Sequence, residues 1–197
     1  MLEETTEEMD LGIWMLQTLK ASSHVARAVS KGNQILGLIR RTFTYMDCEL
    51  MKQLFMSLVQ PHLEYGNVIW HPYLKKDIEL LENVQHRATR MVPGLAKLSY
   101  TDRLMKPDLP TLVYHRNRGD AIEVYKYLHG TYDIDSTDIL PRHTACGMTT
   151  RGHSLKLRKT ECKGSIRANF FGVRVVNLWN SLPEEVVSSD TVNCFKG

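Results

Sequence analysis

The chain has 197 residues, of which 43% are hydrophobic and 24% are charged, and its formal net charge is +3. This composition is typical of a globular protein and argues against general disorder. The sequence has no apolar run of roughly eighteen residues, which excludes a membrane span, and its acidic N-terminus is unlike a secretory signal.

The small net charge is the sum of two unlike parts. Residues 1–10 contain five acids and no base, so the rest of the chain carries +8. Residues 142–174 alone contain eight bases and one acid. A basic body of this kind predicts a polyanionic partner such as RNA or DNA.

The first 19 residues lack a clean periodicity, and we expect them to be irregular or a short extended arm. Further along, apolar residues at helical spacing predict helices at about 22–43, 47–60, 75–92, 100–105, 110–129 and 166–181. Gly32 and Gly37 should each weaken the first of these helices by up to about 1 kcal/mol relative to alanine.

Capping residues indicate where two of these helices begin and where one is interrupted. Ser22 or Ser23 is a good N-cap for the first helix, and Asp47 is a good N-cap for the second. Pro61 lacks a backbone N–H, so it should kink or end the second helix.

The acidic, turn-like segment 131–140 is the predicted boundary between domains. We therefore expect an irregular leader at 1–19, a helical domain at 20–140 and a basic C-terminal region at 141–197. The predicted fold class is mostly α: a helical bundle with a smaller, basic α+β part. The β contribution comes from residues 154–158, which alternate as a short strand would.

Cysteine and histidine usage bears on localisation and on cofactors. The four cysteines lie far apart and no glycosylation acceptor is present, which predicts reduced thiols in the nucleus or cytoplasm. Four possible zinc ligands fall within a short stretch, namely His143, Cys146, His153 and Cys162. Only the first two have tight spacing, so we expect neither a metal nor another cofactor, with zinc as the alternative.

Spaced bases on the first helix and in the C-terminal region are the candidates for contacts to nucleic-acid phosphates. The predicted binding residues are Arg27, Arg40, Arg41, Arg151, Lys156, Arg158 and Lys159. The competing interpretation is that these side chains form solvated faces that only keep the protein in solution.

Several segments resemble, in the same order, the C-terminal part of jockey-like non-LTR (LINE-type) retrotransposon reverse transcriptases. The matching segments are SHVxxA at 23–28, LGLIRR at 36–41, LVxPHLEYG at 58–66 with Trp70 and Pro72, ENVQxRATR at 82–90, TRGHS at 150–154, ANFF at 168–171 and RVVNLWNSLP at 174–183. The resemblance covers roughly residues 9–195 and includes no catalytic motif.

The resemblance implies a thumb-like helical domain that grips a template–primer duplex through its backbone, followed by a region that binds RNA or DNA. It also implies that DLGI at 10–13 follows the polymerase palm, and that the catalytic Asp-Asp motif precedes it. DNA synthesis uses paired carboxylates and two Mg²⁺ ions, and this sequence has no adjacent aspartates. We therefore expect a catalytically inactive fragment.

Other functions stay open at this point. Leucine-rich helices at 47–60 and 75–92 would suit a protein-interaction module without a nucleic-acid role. The chain could also be a transposon remnant without function, or could act together with a separate palm.

Overall fold

A computed structural model describes residues 5–143 and 152–197, and it confirms the mostly-α fold class. The chain divides into two compact units, Met1–Arg116 and Asn117–Gly197. This division falls within a long helix, and the predicted boundary segment 131–140 lies inside the second unit.

The first unit contains one hairpin and most of the helical residues. Its elements are β1 (Glu7–Asp10), β2 (Ile13–Leu16), α1 (Ser22–Thr42), α2 (Cys48–Leu54), a π-helical turn (Phe55–Val59), α3 (Gln60–Glu64), α4 (Asn67–Trp70), α5 (Lys75–Arg90) and α6 (Tyr100–Met105). Helix α7 (Leu112–Leu128) contains the division between the units.

Residues 7–16 of the expected irregular or extended leader form an antiparallel hairpin of β1 and β2. Its two turn residues, Leu11 and Gly12, both have positive φ angles, of 45° and 81°. Two-residue hairpin turns need such angles, and Asn-Gly or Asp-Gly is their usual signal. Because leucine takes the first position here, the sequence did not reveal the turn. The buried side chain of Ile13 fixes the hairpin on the core.

The two serines at the start of α1 do not cap it, so the predicted N-cap is wrong. Ala21 occupies the N-cap position and forms no side-chain cap bond. The Ser22 hydroxyl instead donates to Asp77 Oδ2 over 2.6 Å, and the Ser23 hydroxyl donates to Glu7. Both serines therefore join α1 to other elements.

The second predicted helix begins as expected but passes through its proline. Asp47 accepts a hydrogen bond from the Leu50 N–H over 2.8 Å, which confirms its role as N-cap. Ahead of Pro61, residues Phe55–Val59 form a wider, π-helical turn. The Gln60 N–H donates to the Phe55 carbonyl, five residues earlier. The wider turn gives the proline ring room, so the chain continues helically into α3 instead of ending there.

Helices α1 and α5 run parallel, and the contact at Gly32 sets how closely they approach. Their first turns are joined by the serine–aspartate bond described above. Near the middle of α1, a Cβ on Gly32 would lie 3.1 Å from the side chain of Leu63 in α3 and 3.3 Å from that of Val84 in α5. Next to it, the Arg87 guanidinium donates to Asn33 Oδ1 over 2.8 Å. The C-terminal ends of the two helices therefore lie side by side.

The second unit packs around Trp179, which is fully buried. Its helices after the end of α7 are α8 (Ser165–Ala168), α9 (Phe171–Asn180), α10 (Glu184–Val187) and α11 (Val192–Lys196). The Trp179 indole donates to the Leu155 carbonyl over 2.8 Å, and the Asn180 side chain bonds the backbone of Leu157 in both directions. The predicted strand at 154–158 is reduced to a single β-bridge between Arg142 and Leu157.

His24 is a buried titratable group in the first unit, with 6% of its surface exposed. Its ring centroid lies 4.6 Å from that of Trp70, and its Nδ1 accepts the Trp14 N–H over 3.3 Å. Its Nε2 has no hydrogen-bond partner within residues 5–143 and 152–197. Burial lowers the pKa of His24, because removal from water disfavours the charged ring.

We expect Gly32→Leu to destabilise the protein by about 1–3 kcal/mol, because the new side chain must displace Leu63 and Val84. Gly37→Ala, in the same helix, meets no atom within 4 Å and should stabilise it by up to about 1 kcal/mol. Urea unfolding followed by circular dichroism measures both changes. Equal midpoints for the two variants would contradict the close approach at Gly32.

We expect the stability of the protein to fall as the pH drops from 7.5 to 5.5, in part through His24. The ordinary pKa of an unfolded histidine is about 6.5. Since burial lowers the pKa in the folded state, the unfolded chain binds the proton more readily below that pH, which favours unfolding. His24→Gln should remove at most about 1.4 kcal/mol of this pH dependence. Urea midpoints at the two pH values test this, with His62→Gln, at an exposed position, as the control.

Candidate nucleic-acid interface

An open groove of about 780 Å³ lies at the C-terminal ends of α1 and α5. Three of its lining residues are arginines, Arg40 from α1 and Arg87 and Arg90 from α5. We call it the arginine groove. No carboxylate is among the described residues that line it. The arrangement can hold an anion, because guanidinium groups bind phosphate oxygens through paired N–H donors.

The helix ends around the arginine groove do not cancel its positive charge. The last turns of α1 and α5 contain four arginines, namely Arg40, Arg41, Arg87 and Arg90. Each helix C-terminus is equivalent to about half a negative charge, so two adjacent ends supply about one. The surplus of positive charge is available to a polyanion.

None of the three groove arginines has a carboxylate partner in the described part of the chain. Arg40 and Arg90 form no ion pair there, and Arg87 donates instead to the amide oxygen of Asn33. Burial lowers the pKa of nearby His86, and the charges of Arg103 and Arg90 lower it further. His86 is therefore neutral at pH 7, and the positive charge at this end of α5 comes from arginines alone.

Arg27, the first predicted binding residue, is already engaged within the protein. Its guanidinium carbon lies 3.7 Å from the centroid of the Trp14 ring, and its Nη2 lies 3.3 Å from Glu7 Oε2. The Ser23 hydroxyl, followed by the Arg27 guanidinium, holds the pKa of Glu7 below its ordinary value. Arg27 also lies thirteen residues before Arg40 on α1, which is roughly 20 Å along the helix axis. The structure does not bring it to the arginine groove.

The predicted residues of the second unit lie along one extended segment. Arg158 and Lys159 are exposed, while Lys156 is half-buried and lies against Gly152. Arg151 lies outside the described residues. Two of these four predicted residues are therefore exposed cations of the second unit.

Two further bases of the C-terminal region hold the second unit together. Arg174 forms a two-pronged ion pair with Asp120, with both N–O distances at 2.9 Å, and only 10% of its side chain is exposed. Arg142 donates to the Leu128 carbonyl over 3.2 Å. The net charge of this region therefore overstates the number of cations that can meet a phosphate.

The three possible zinc ligands that the structure describes, His143, His153 and Cys162, do not form a metal-binding group. His153 is buried and its Nε2 lies 3.0 Å from the Trp179 carbonyl, and its ring packs edge-on against the Trp179 indole. Cys146 lies outside the described residues. No group of three His, Cys, Asp or Glu side chains suited to a metal occurs within the part of the chain that the structure describes.

The sequence did not single out Arg87 and Arg90 as site residues, although they are exposed. Their spacing of three places them on one side of α5. That spacing alone is typical of any solvated helix face. What makes them a site is the parallel pairing of α1 with α5, and hydrophobic periodicity does not specify which helices pair or in which direction.

No helix in the described ranges has the length and apolar content needed to cross a bilayer. Comparison of the chain with family models, with curated proteins and with solved structures gave no match.

We expect Arg174→Gln to destabilise the protein by about 3–5 kcal/mol, because it breaks the buried, two-pronged ion pair with Asp120. Arg158→Gln removes the same charge from an exposed position and should change stability by no more than about 0.5 kcal/mol. Thermal unfolding of the two variants provides the comparison. A small effect of Arg174→Gln would mean that this arginine is a surface cation after all.

Proposed function

We propose that this chain binds nucleic acid through phosphate contacts, without reading sequence, and that the arginine groove is the principal contact surface. The observation that carries the proposal is the convergence of Arg40, Arg87 and Arg90 on one open groove whose described lining has no carboxylate. Arg41 lies beside it on the last turn of α1. Such a surface attracts phosphates by releasing their counterions and carries no sequence information.

The resemblance to jockey-like reverse transcriptases supports the same proposal. Two of its segments, LGLIRR at 36–41 and ENVQxRATR at 82–90, supply the three arginines that line the groove, as well as Arg41 beside it. In this proposal they are the thumb-like element that contacts a template–primer. The residues Lys156, Arg158 and Lys159 are a secondary contact on the other unit.

Polymerisation is not part of the proposed function. Two-metal phosphoryl transfer needs paired carboxylates, and the sequence has no adjacent aspartates. We propose a binding role only, as the catalytically inactive C-terminal part of a retrotransposon RNA-directed DNA polymerase.

We expect the double variant Arg87→Gln/Arg90→Gln to weaken binding to a primed RNA template and to reduce its salt dependence. Each lost phosphate contact lowers the slope of log affinity against log salt by about one, so the double variant should lose about two. Fluorescence anisotropy over a series of salt concentrations measures the slope.

Lys75→Gln/Lys76→Gln is the matched control, since it removes two exposed charges from the first turn of the same helix, at its opposite end. Its slope should equal that of the unchanged protein. The proposal fails if the two double variants have equal slopes, or if the unchanged protein does not bind the template at low salt.

The alternative, a protein-interaction module, would rest on the exposed apolar side chains of the π-helical turn, Met56 and Leu58. Sedimentation distinguishes the two proposals. A stable dimer together with no affinity for nucleic acid would favour the alternative.

A further inference from the structure

The arginine groove has a second property that phosphate binding alone does not use: much of its lining is apolar. Besides the three arginines, the lining residues include Leu36, Phe43, Met46, Met91 and Pro93. Phe43 is the largest of these, with 36% of its surface exposed. A phosphate gains nothing from an apolar lining, because anions are best held by N–H donors and water.

The groove is also larger than a phosphate needs. Its volume of about 780 Å³ falls within the range of pockets that bury organic ligands, which is about 300–1,000 Å³. A ligand that uses all of it would combine an anion with an apolar group, such as a nucleotide base. Gly37 keeps the wall of α1 open, since nothing lies within 4 Å of the position where its Cβ would be.

We infer that the arginine groove binds an unpaired nucleotide of single-stranded RNA or DNA, with its base against Phe43 and its phosphates at Arg40, Arg87 and Arg90. This inference rests on the proposed function and adds the class of substrate to it. Every base has a stacking face, so an aromatic ring beside a basic groove holds single strands without reading sequence. In a duplex those faces are covered by neighbouring base pairs, and only the phosphates could reach the arginines.

The chain provides a matched pair of variants for the test. Phe43 lines the groove, whereas Tyr45, two residues further on, is 70% exposed and is not among the lining residues. Phe43→Ala and Tyr45→Ala each remove one exposed aromatic ring and leave all charges in place. Phe43→Tyr keeps the ring and is the conservative variant.

The probes are a labelled oligo(U) strand of roughly 12 nucleotides and a blunt RNA duplex of the same length, measured by anisotropy at one salt concentration. We expect the single strand to bind more tightly than the duplex. Phe43→Ala should weaken single-strand binding by about 5- to 100-fold, the range for losing one stacked base, and should leave duplex binding unchanged. Tyr45→Ala and Phe43→Tyr should behave like the unchanged protein.

The possible failures are distinguishable. If neither probe binds, the proposed function itself fails. If both probes bind equally well and Phe43→Ala has no effect on either, the unpaired-nucleotide site is wrong while phosphate binding stands. Equal losses for Phe43→Ala and Tyr45→Ala would also overturn the site, as would displacement of oligo(U) by a phosphopeptide but not by free nucleotides. Circular dichroism of each variant shows that the fold is retained.

Discussion

The close approach of α1 to α5 and α3 at Gly32 is the contact on which the rest of the first unit depends. A glycine at this point lets Leu63 and Val84 pack closely against α1, and a larger side chain would have to displace them. The bond between Ser22 and Asp77 fixes the other end of the same pair. Together these contacts set both the spacing and the parallel direction of the two helices.

Parallel pairing has an electrostatic consequence that antiparallel pairing would not have. It brings two helix C-termini together, and their partial negative charges repel. The arginines of the two last turns oppose this repulsion, so part of their role is structural. Four guanidinium groups nevertheless exceed what two helix ends require, and Arg40 and Arg90 keep no carboxylate partner within the described residues. The remaining positive charge is therefore available to bind an anion from outside the protein.

Hydrophobic spacing predicted most of the helices of the first unit, and the cap at Asp47 was also predictable. The features that it missed depend on tertiary contacts. The hairpin turn has leucine where a typical signal has asparagine, and Ser22 bonds a distant helix instead of capping its own. The arginine groove was predictable only in part, through Arg40, because its other two arginines come from a helix whose partner and direction no local pattern specifies.

The comparison of Arg27 with Arg40 shows why counting bases is a poor guide to a binding surface. Both are arginines on the same helix, and sequence alone gave them equal standing. Arg27 already has an aromatic face and a carboxylate within the protein, so binding a phosphate would first require breaking those contacts. Within residues 5–143 and 152–197, Arg40 has neither contact, and it lines a groove together with apolar side chains. Whether a basic side chain can bind a phosphate therefore depends on its existing partners and on the surface next to it. The same argument applies in the second unit, where Arg174 is held in an ion pair with Asp120 and Arg158 is exposed.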